Sequence, residues 1–77
     1  MTIRVKFFAS LREQVGVSER EIGSDGINTV EDVWKEVTDG MTMPANVLIA
    51  INMEYVEGGS HVADGTEVAF FPPVTGG

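Results

Sequence analysis

The sequence closes on Phe70-Phe71-Pro72-Pro73-Val74-Thr75-Gly76-Gly77, and the group there with the clearest chemistry belongs to the backbone. A terminal glycine carboxylate has no side chain beside it, so a narrow channel in another protein can admit it and react with it. Two closing glycines arise by chance in roughly 0.5% of chains, and many glycine-rich ends are frayed tails, so the context has to carry the argument. Val68, Phe70 and Phe71 form an apolar β-type run that leads straight into two prolines. Those prolines hold φ at about −65° and favour an extended path, beyond which residues 74–77 would reach roughly 14 Å. The expectation is one domain over residues 1–77, with 72–77 a flexible C-terminal tail directed away from the body.

Other reactive constellations are missing from the sequence. Without cysteine there are no disulfides, thiolate metal sites or Cys–His pairs, and the one histidine, His61, reads as an ordinary exposed side chain in a polar loop. Ser10, Ser18, Ser24 and Ser60 lack the setting of a nucleophile elbow. Gly58-Gly59 is followed by neither Lys-Ser/Thr nor a helix start, so it is not a phosphate loop. Scattered carboxylates fit a solvated surface better than an acid–base pair. The chain therefore reads as a poor independent enzyme, with no metal or cofactor of its own.

Twelve acidic against five basic residues give a net charge of −7 and a pI near 4.3. That balance repels phosphate backbones and anionic lipid, which argues against nucleic acid and membrane as partners. It suits either a solubilising surface or docking onto a protein with a basic rim. Arg4, Lys6 and Arg12 interrupt the apolar residues at the N-terminus, so no secretory h-region forms, and no run approaches a membrane span. A soluble cytoplasmic protein is the expectation. At 77 residues the chain lies near the lower limit for a core that holds without staples.

The elements that would position the tail follow from periodicity. Ile3, Val5 and Phe7 alternate with Arg4, Lys6 and Phe8, predicting a half-buried strand over 3–8 with Phe8 on the outer face. Ser10 and Glu13 have the spacing of a capping box opening a short helix that Gly16 ends. Val17 to Ile22 reads as an edge strand, and Ser24-Asp25-Gly26 as a turn. Thr29 then caps a helix, with Asp32 in its first turn. Val30, Val33, Trp34 and Val37 form the buried stripe of that helix, and Gly40 ends it. Val47 to Met53 predicts a strand with Val47, Ile49, Ile51 and Met53 on one face and Leu48 and Ala50 on the other. Tyr55-Val56 suggests a short returning strand, Asp64-Gly65 a tight turn, and Glu67 to Phe71 the last strand.

Alternation also assigns faces to the paired phenylalanines. Val68 and Phe70 share a side, so Phe71 points the other way, as Phe8 does in the first strand. If both inward sets meet the helix, Phe8 and Phe71 are outward, and together they would form an exposed patch of the kind that marks a partner site.

The runs Val5-Lys6-Phe7-Phe8-Ala9-Ser10-Leu11-Arg12-Glu13, Asp64-Gly65-Thr66-Glu67-Val68-Ala69-Phe70-Phe71 and Pro72-Pro73-Val74-Thr75-Gly76-Gly77 resemble the small, sulfur-carrying subunits of molybdopterin synthase. The Gly-Gly end alone would also fit the thiamine sulfur carrier, carriers for tRNA thiolation, ubiquitin and related modifiers. The resemblance implies an α+β, ubiquitin-like β-grasp fold, a mixed sheet packed on one main helix, whose first and last strands are parallel neighbours. It implies that a ubiquitin-activating-like adenylyltransferase uses ATP and Mg²⁺ to adenylate Gly77, which then becomes a thiocarboxylate. The sulfur would pass to cyclic pyranopterin monophosphate inside the large subunit, which supplies the catalytic residues, in an assembly of two small and two large subunits. Pro72, Pro73, Val74, Thr75 and Gly76 would thread the partner's channel. Phe8, Arg12, Tyr55 and Phe71 would form the partner interface, Arg12 as a polar neighbour of the patch and Tyr55 as an apolar contact.

Overall fold

The computed structural model describes residues 1–44 and 46–73. The expectations for Val74, Thr75, Gly76 and Gly77 lie outside these residues. Five strands, β1 (Thr2–Phe7), β2 (Glu19–Gly23), β3 (Leu48–Ile51), β4 (Glu54–Val56) and β5 (Glu67–Phe71), form one mixed sheet in the order β2-β1-β5-β3-β4. β1 and β5 run parallel at its centre, and every other pairing is antiparallel. A short helix, α1 (Ser10–Val15), follows β1, and the main helix, α2 (Val30–Thr38), connects β2 to β3. This is the expected α+β architecture.

The helix stripe and the inward strand residues make the core. Val30, Val33, Trp34 and Val37 pack with Ile3, Val5, Phe7, Ile22, Ile49, Val68 and Phe70. Trp34 meets Phe7 and Phe70 edge-on, with ring centroids 5.7 and 5.1 Å away, and Phe7 stacks on Phe70 at 5.4 Å. Such aromatic pairs add about 0.5–1.5 kcal/mol each beyond the area they bury. The buried indole N–H donates to the Met41 carbonyl at 2.9 Å, so Trp34 leaves no orphaned donor. Val62, in the loop before β5, also fills the core, a residue that no periodic pattern flagged. On the edge strand β2, Arg20 donates to the Val37 carbonyl at 3.3 Å, which places a cation at the carboxyl end of α2.

Three local expectations are corrected. Ser10 is not the cap of α1: Ala9 takes the N-cap position at φ 53°, ψ −130°, and no side chain caps the helix. The Leu11 N–H donates to the Phe8 carbonyl at 3.2 Å, so Phe8 to Leu11 form a tight turn that already closes the helix entry, and Ser10 becomes the first helical residue. Alanine in that region of φ/ψ is strained by about 1–3 kcal/mol. Met53 is not on β3. Asn52 and Met53 both have positive φ, 49° and 72°, as a two-residue hairpin turn that matches strand twist requires. Helix α2 ends one residue early, because Asp39 itself turns left-handed at φ 59° and Gly40 completes the turn by donating to the Lys35 carbonyl.

The Thr29 cap forms as expected. Asp32 N–H donates to Thr29 Oγ1 at 3.3 Å, while Asp32 Oδ2 accepts from the N–H groups of Asn28 at 2.9 Å and Thr29 at 3.0 Å. These backbone donors, Asn28 first, hold the Asp32 carboxyl below the usual carboxylate range. Because the folded-state value is lowered, the stabilisation is present at neutral pH and disappears as pH falls through that lowered value. Asp32→Ala is expected to lower Tm at pH 7, and the gap to the wild type should shrink in strong acid. Thermal unfolding by circular dichroism over a pH series checks this, and a gap unchanged in acid would contradict it.

Candidate functional site

The parallel register sets Phe7 opposite Phe70. With both rings turned into the core, the next residue on each strand must face outward. The ladder extends one step past β1, where the Phe8 N–H donates to the Phe70 carbonyl at 3.1 Å. Phe8 and Phe71 therefore stack on the outer face, centroids 4.6 Å apart and planes within 7°. Pro72, half-buried, and Pro73, exposed, follow directly, so the stack stands at the root of the closing segment.

Tyr55 reaches the same patch from β4, its ring centroid 6.0 Å from Phe71. Its placement depends on the β3–β4 hairpin. Asn52 donates its N–H to the Glu67 carbonyl at 2.8 Å and accepts the Glu67 N–H on its side-chain oxygen at 2.9 Å. That two-way clamp fixes the hairpin to the start of β5. Phe8 is 40% exposed and Tyr55 71%, more than packing alone asks of large rings. Arg12 is exposed on α1, which begins two residues after Phe8. Among the described residues its guanidinium makes no ion pair, whereas Lys6 pairs with Glu67 at 3.1 Å and Arg4 with Glu19 at 3.7 Å.

The structure thus brings Phe8, Phe71 and Tyr55 together and leaves Arg12 on the adjoining helix. It adds two residues that sequence reasoning did not place in the patch. Leu48 pairs in register with Phe71, and Met53, raised by the hairpin turn, is 87% exposed and lines a shallow hollow with Phe8, Tyr55 and Phe71. The turn signal that would have placed Met53 was Asn52, a residue that tolerates left-handed φ. Among the described residues no three His, Asp or Glu side chains converge as a metal site, and no helix is long and apolar enough to cross a membrane.

The sheet order, the central parallel pair and the segment leaving the end of β5 define a class before any particular member. Residues 5–77 match the ThiS family. SAMP1 from Haloferax volcanii, a small archaeal modifier protein, superposes with a TM-score of 0.76 at 29% identity over 100% of both chains. Subunit 1 of the Helicobacter pylori molybdopterin-converting factor, solved as a protein–protein complex with subunit 2, superposes at 0.66 over 100% of both chains; at 20% identity it speaks to the fold alone. The fold is the ubiquitin-like β-grasp. The sulfur carrier subunit of molybdopterin synthase from Escherichia coli K12 is 41% identical over 97% of this chain and 99% of its own length. The chain belongs to the ThiS family and, within it, with the sulfur carrier subunits of molybdopterin synthase.

Adjacent phenylalanines on β5 should respond oppositely to truncation. Phe70→Ala is expected to cost about 3–5 kcal/mol of stability by opening a cavity under Trp34, and Phe71→Ala about 1 kcal/mol, from the lost outer stack. Urea unfolding of the two variants checks this, and equal losses would contradict the assignment of faces.

Proposed function

We propose that this chain, as the sulfur carrier subunit of molybdopterin synthase, does its chemistry at the carboxylate of Gly77 and docks its partners through the face around Phe8 and Phe71. The observation that carries the reading is the 4.6 Å stack of those two outward rings at the strand end from which the closing segment departs. Phe8 is exposed and Phe71 half-buried, and placing an outward aromatic pair where a tail begins lets one protein surface grip the body while its channel receives the end. Tyr55 adds apolar contact to that grip, and Arg12 offers a polar contact beside it.

A carboxylate is a poor acyl donor. An adenylating partner of the ubiquitin-activating type, using ATP and Mg²⁺, would convert Gly77 to an acyl-adenylate with AMP as leaving group. The terminal sulfur of a persulfide donor would displace AMP to give an acyl disulfide. A second thiol would cleave it, becoming a disulfide with the donor as it supplies the two electrons, to leave a thiocarboxylate, a better nucleophile than the carboxylate it replaces. The large subunit would then receive the tail and direct that sulfur onto cyclic pyranopterin monophosphate. Since a dithiolene needs two sulfurs, two charged carriers serve each product, in keeping with an assembly of two small and two large subunits. Gly76 passes a channel in which any Cβ would collide, and Pro72-Pro73 reduces the entropy lost when Val74 and Thr75 are ordered. All of this belongs to the cytoplasm, where ATP and persulfide donors meet. ATP and Mg²⁺ act on the activating partner, and this chain holds no cofactor in the scheme.

A second reading is a protein modifier that joins Gly77 to lysines, favoured by the 0.76 superposition on an archaeal modifier. The two diverge in what becomes of the activated end. Incubation with ATP, an activating enzyme and a sulfide source, followed by mass spectrometry of the C-terminal peptide, should place one sulfur on Gly77. Intact mass is insufficient, because exchanging oxygen for sulfur matches the nominal mass of oxidising one of the four methionines. Lysine adducts without a thiocarboxylate would favour the modifier. Gly76→Ile and deletion of Gly77 are expected to abolish dithiolene formation while leaving the circular dichroism spectrum and Tm unchanged; a truncated chain that still supports it would sink the proposal.

A further inference from the structure

Ala50 and Ala69 are direct partners across the β3–β5 ladder, and the alternation that buries Ile49, Val68 and Phe70 turns both alanines to the outer face. They are only 5% and 8% exposed although α2 packs against the opposite face. What shields them is a ring of larger neighbours: Phe8 and Phe71 on one side, Tyr55 and Met53 on another, and the Lys6–Glu67 ion pair closing a third. The result is a hollow of about 320 Å³ with an alanine floor. Of the six exposed large hydrophobic side chains among the described residues, Phe8, Leu48, Met53 and Tyr55 stand around or beside it.

The charge around the hollow is one-sided. Register puts Glu19, Glu21, Glu67, Arg4 and Lys6 on this face, and both cations are already engaged by Glu19 and Glu67. Glu21 is left in excess, on a chain of net charge −7. A second copy of the chain would bring the same excess and the same hollow against it, so charge repels and shape does not interlock. A small polar ligand would find one ion pair and otherwise hydrocarbon.

We propose that this hollow is a socket for one large aliphatic or aromatic side chain of the molybdopterin synthase large subunit, projecting from a surface with basic residues at its rim, and that Ala50 and Ala69 determine which partner fits. The inference rests on the reading that this face docks the large subunit. The aromatic walls supply contact area, while the alanines supply the space without which the walls cannot be reached. A knob seated in a desolvated hollow with a polar rim has the anatomy of a binding hot spot. Filling the socket from below should therefore abolish docking even though no wall residue is changed.

The test measures binding of the full-length chain to the purified large subunit by calorimetry, with folding followed by circular dichroism and amide NMR spectra. Ala69→Leu is expected to keep a native spectrum and lose at least about 30-fold in affinity, with Ala50→Val losing less. Wild-type affinity in a folded Ala69→Leu would overturn the socket; if Ala69→Leu does not fold, Ala50→Val decides, since a β-branched residue suits a strand. Phe8→Ala separates the two levels of the argument. Weakened binding in Phe8→Ala beside normal binding in the alanine variants overturns the socket alone, whereas normal binding in Phe8→Ala overturns the docking face itself. Concentration-dependent dimerisation of the free chain that Ala69→Leu abolishes would instead assign the hollow to a second copy and overturn the proposal.

Discussion

One register position governs this molecule: Phe7 opposite Phe70 in the central parallel ladder. The inward pair, met edge-on by Trp34, forms the aromatic centre of the core. Strand geometry gives no further freedom, so the next residue of each strand must emerge side by side on the other face. A slip of one residue would bury Phe8 or Phe71 and expose their neighbours, exchanging core and surface at one stroke. The same contact that holds the fold together therefore also builds the patch and fixes where the closing segment leaves the body.

Around that point the structure invests in fixing geometry. Ala9 accepts a strained, positive-φ conformation so that α1 can begin two residues after Phe8. Asn52 spends both its backbone N–H and its side-chain oxygen on Glu67, which ties the β3–β4 hairpin, and with it Tyr55 and Met53, to the strand that carries Phe71. Neither device contributes much apolar burial. Both hold the borders of the outer face in place, so that its shape is set by the fold itself.

Much of this was legible in the sequence wherever a period could be read. The alternation of Ile3, Val5 and Phe7, the stripe of Val30, Val33, Trp34 and Val37, and the outward turn of Phe8 and Phe71 follow from elementary geometry. What failed was local backbone conformation. Ser10 and Glu13 have capping spacing, yet a turn at Ala9 had already satisfied the helix entry. Met53 continued an apolar alternation but stands in a turn, because Asn52 reverses the chain first. Val62 filled the core from a loop, where no period exists to betray it. The hollow was hidden for another reason: a floor of Ala50 and Ala69 is defined by what surrounds it, and the surroundings come from β1, β4, β5 and the β3–β4 turn, which only the topology assembles.

The parallel pairing of β1 with β5 joins segments from opposite ends of the described chain. Contacts so distant in sequence carry the entropic cost of closing the whole intervening loop. The Phe8–Phe71 stack is consequently absent from any copy whose sheet has not closed. A surface of this kind reports closure of the sheet, because its two rings lie side by side only in the folded domain.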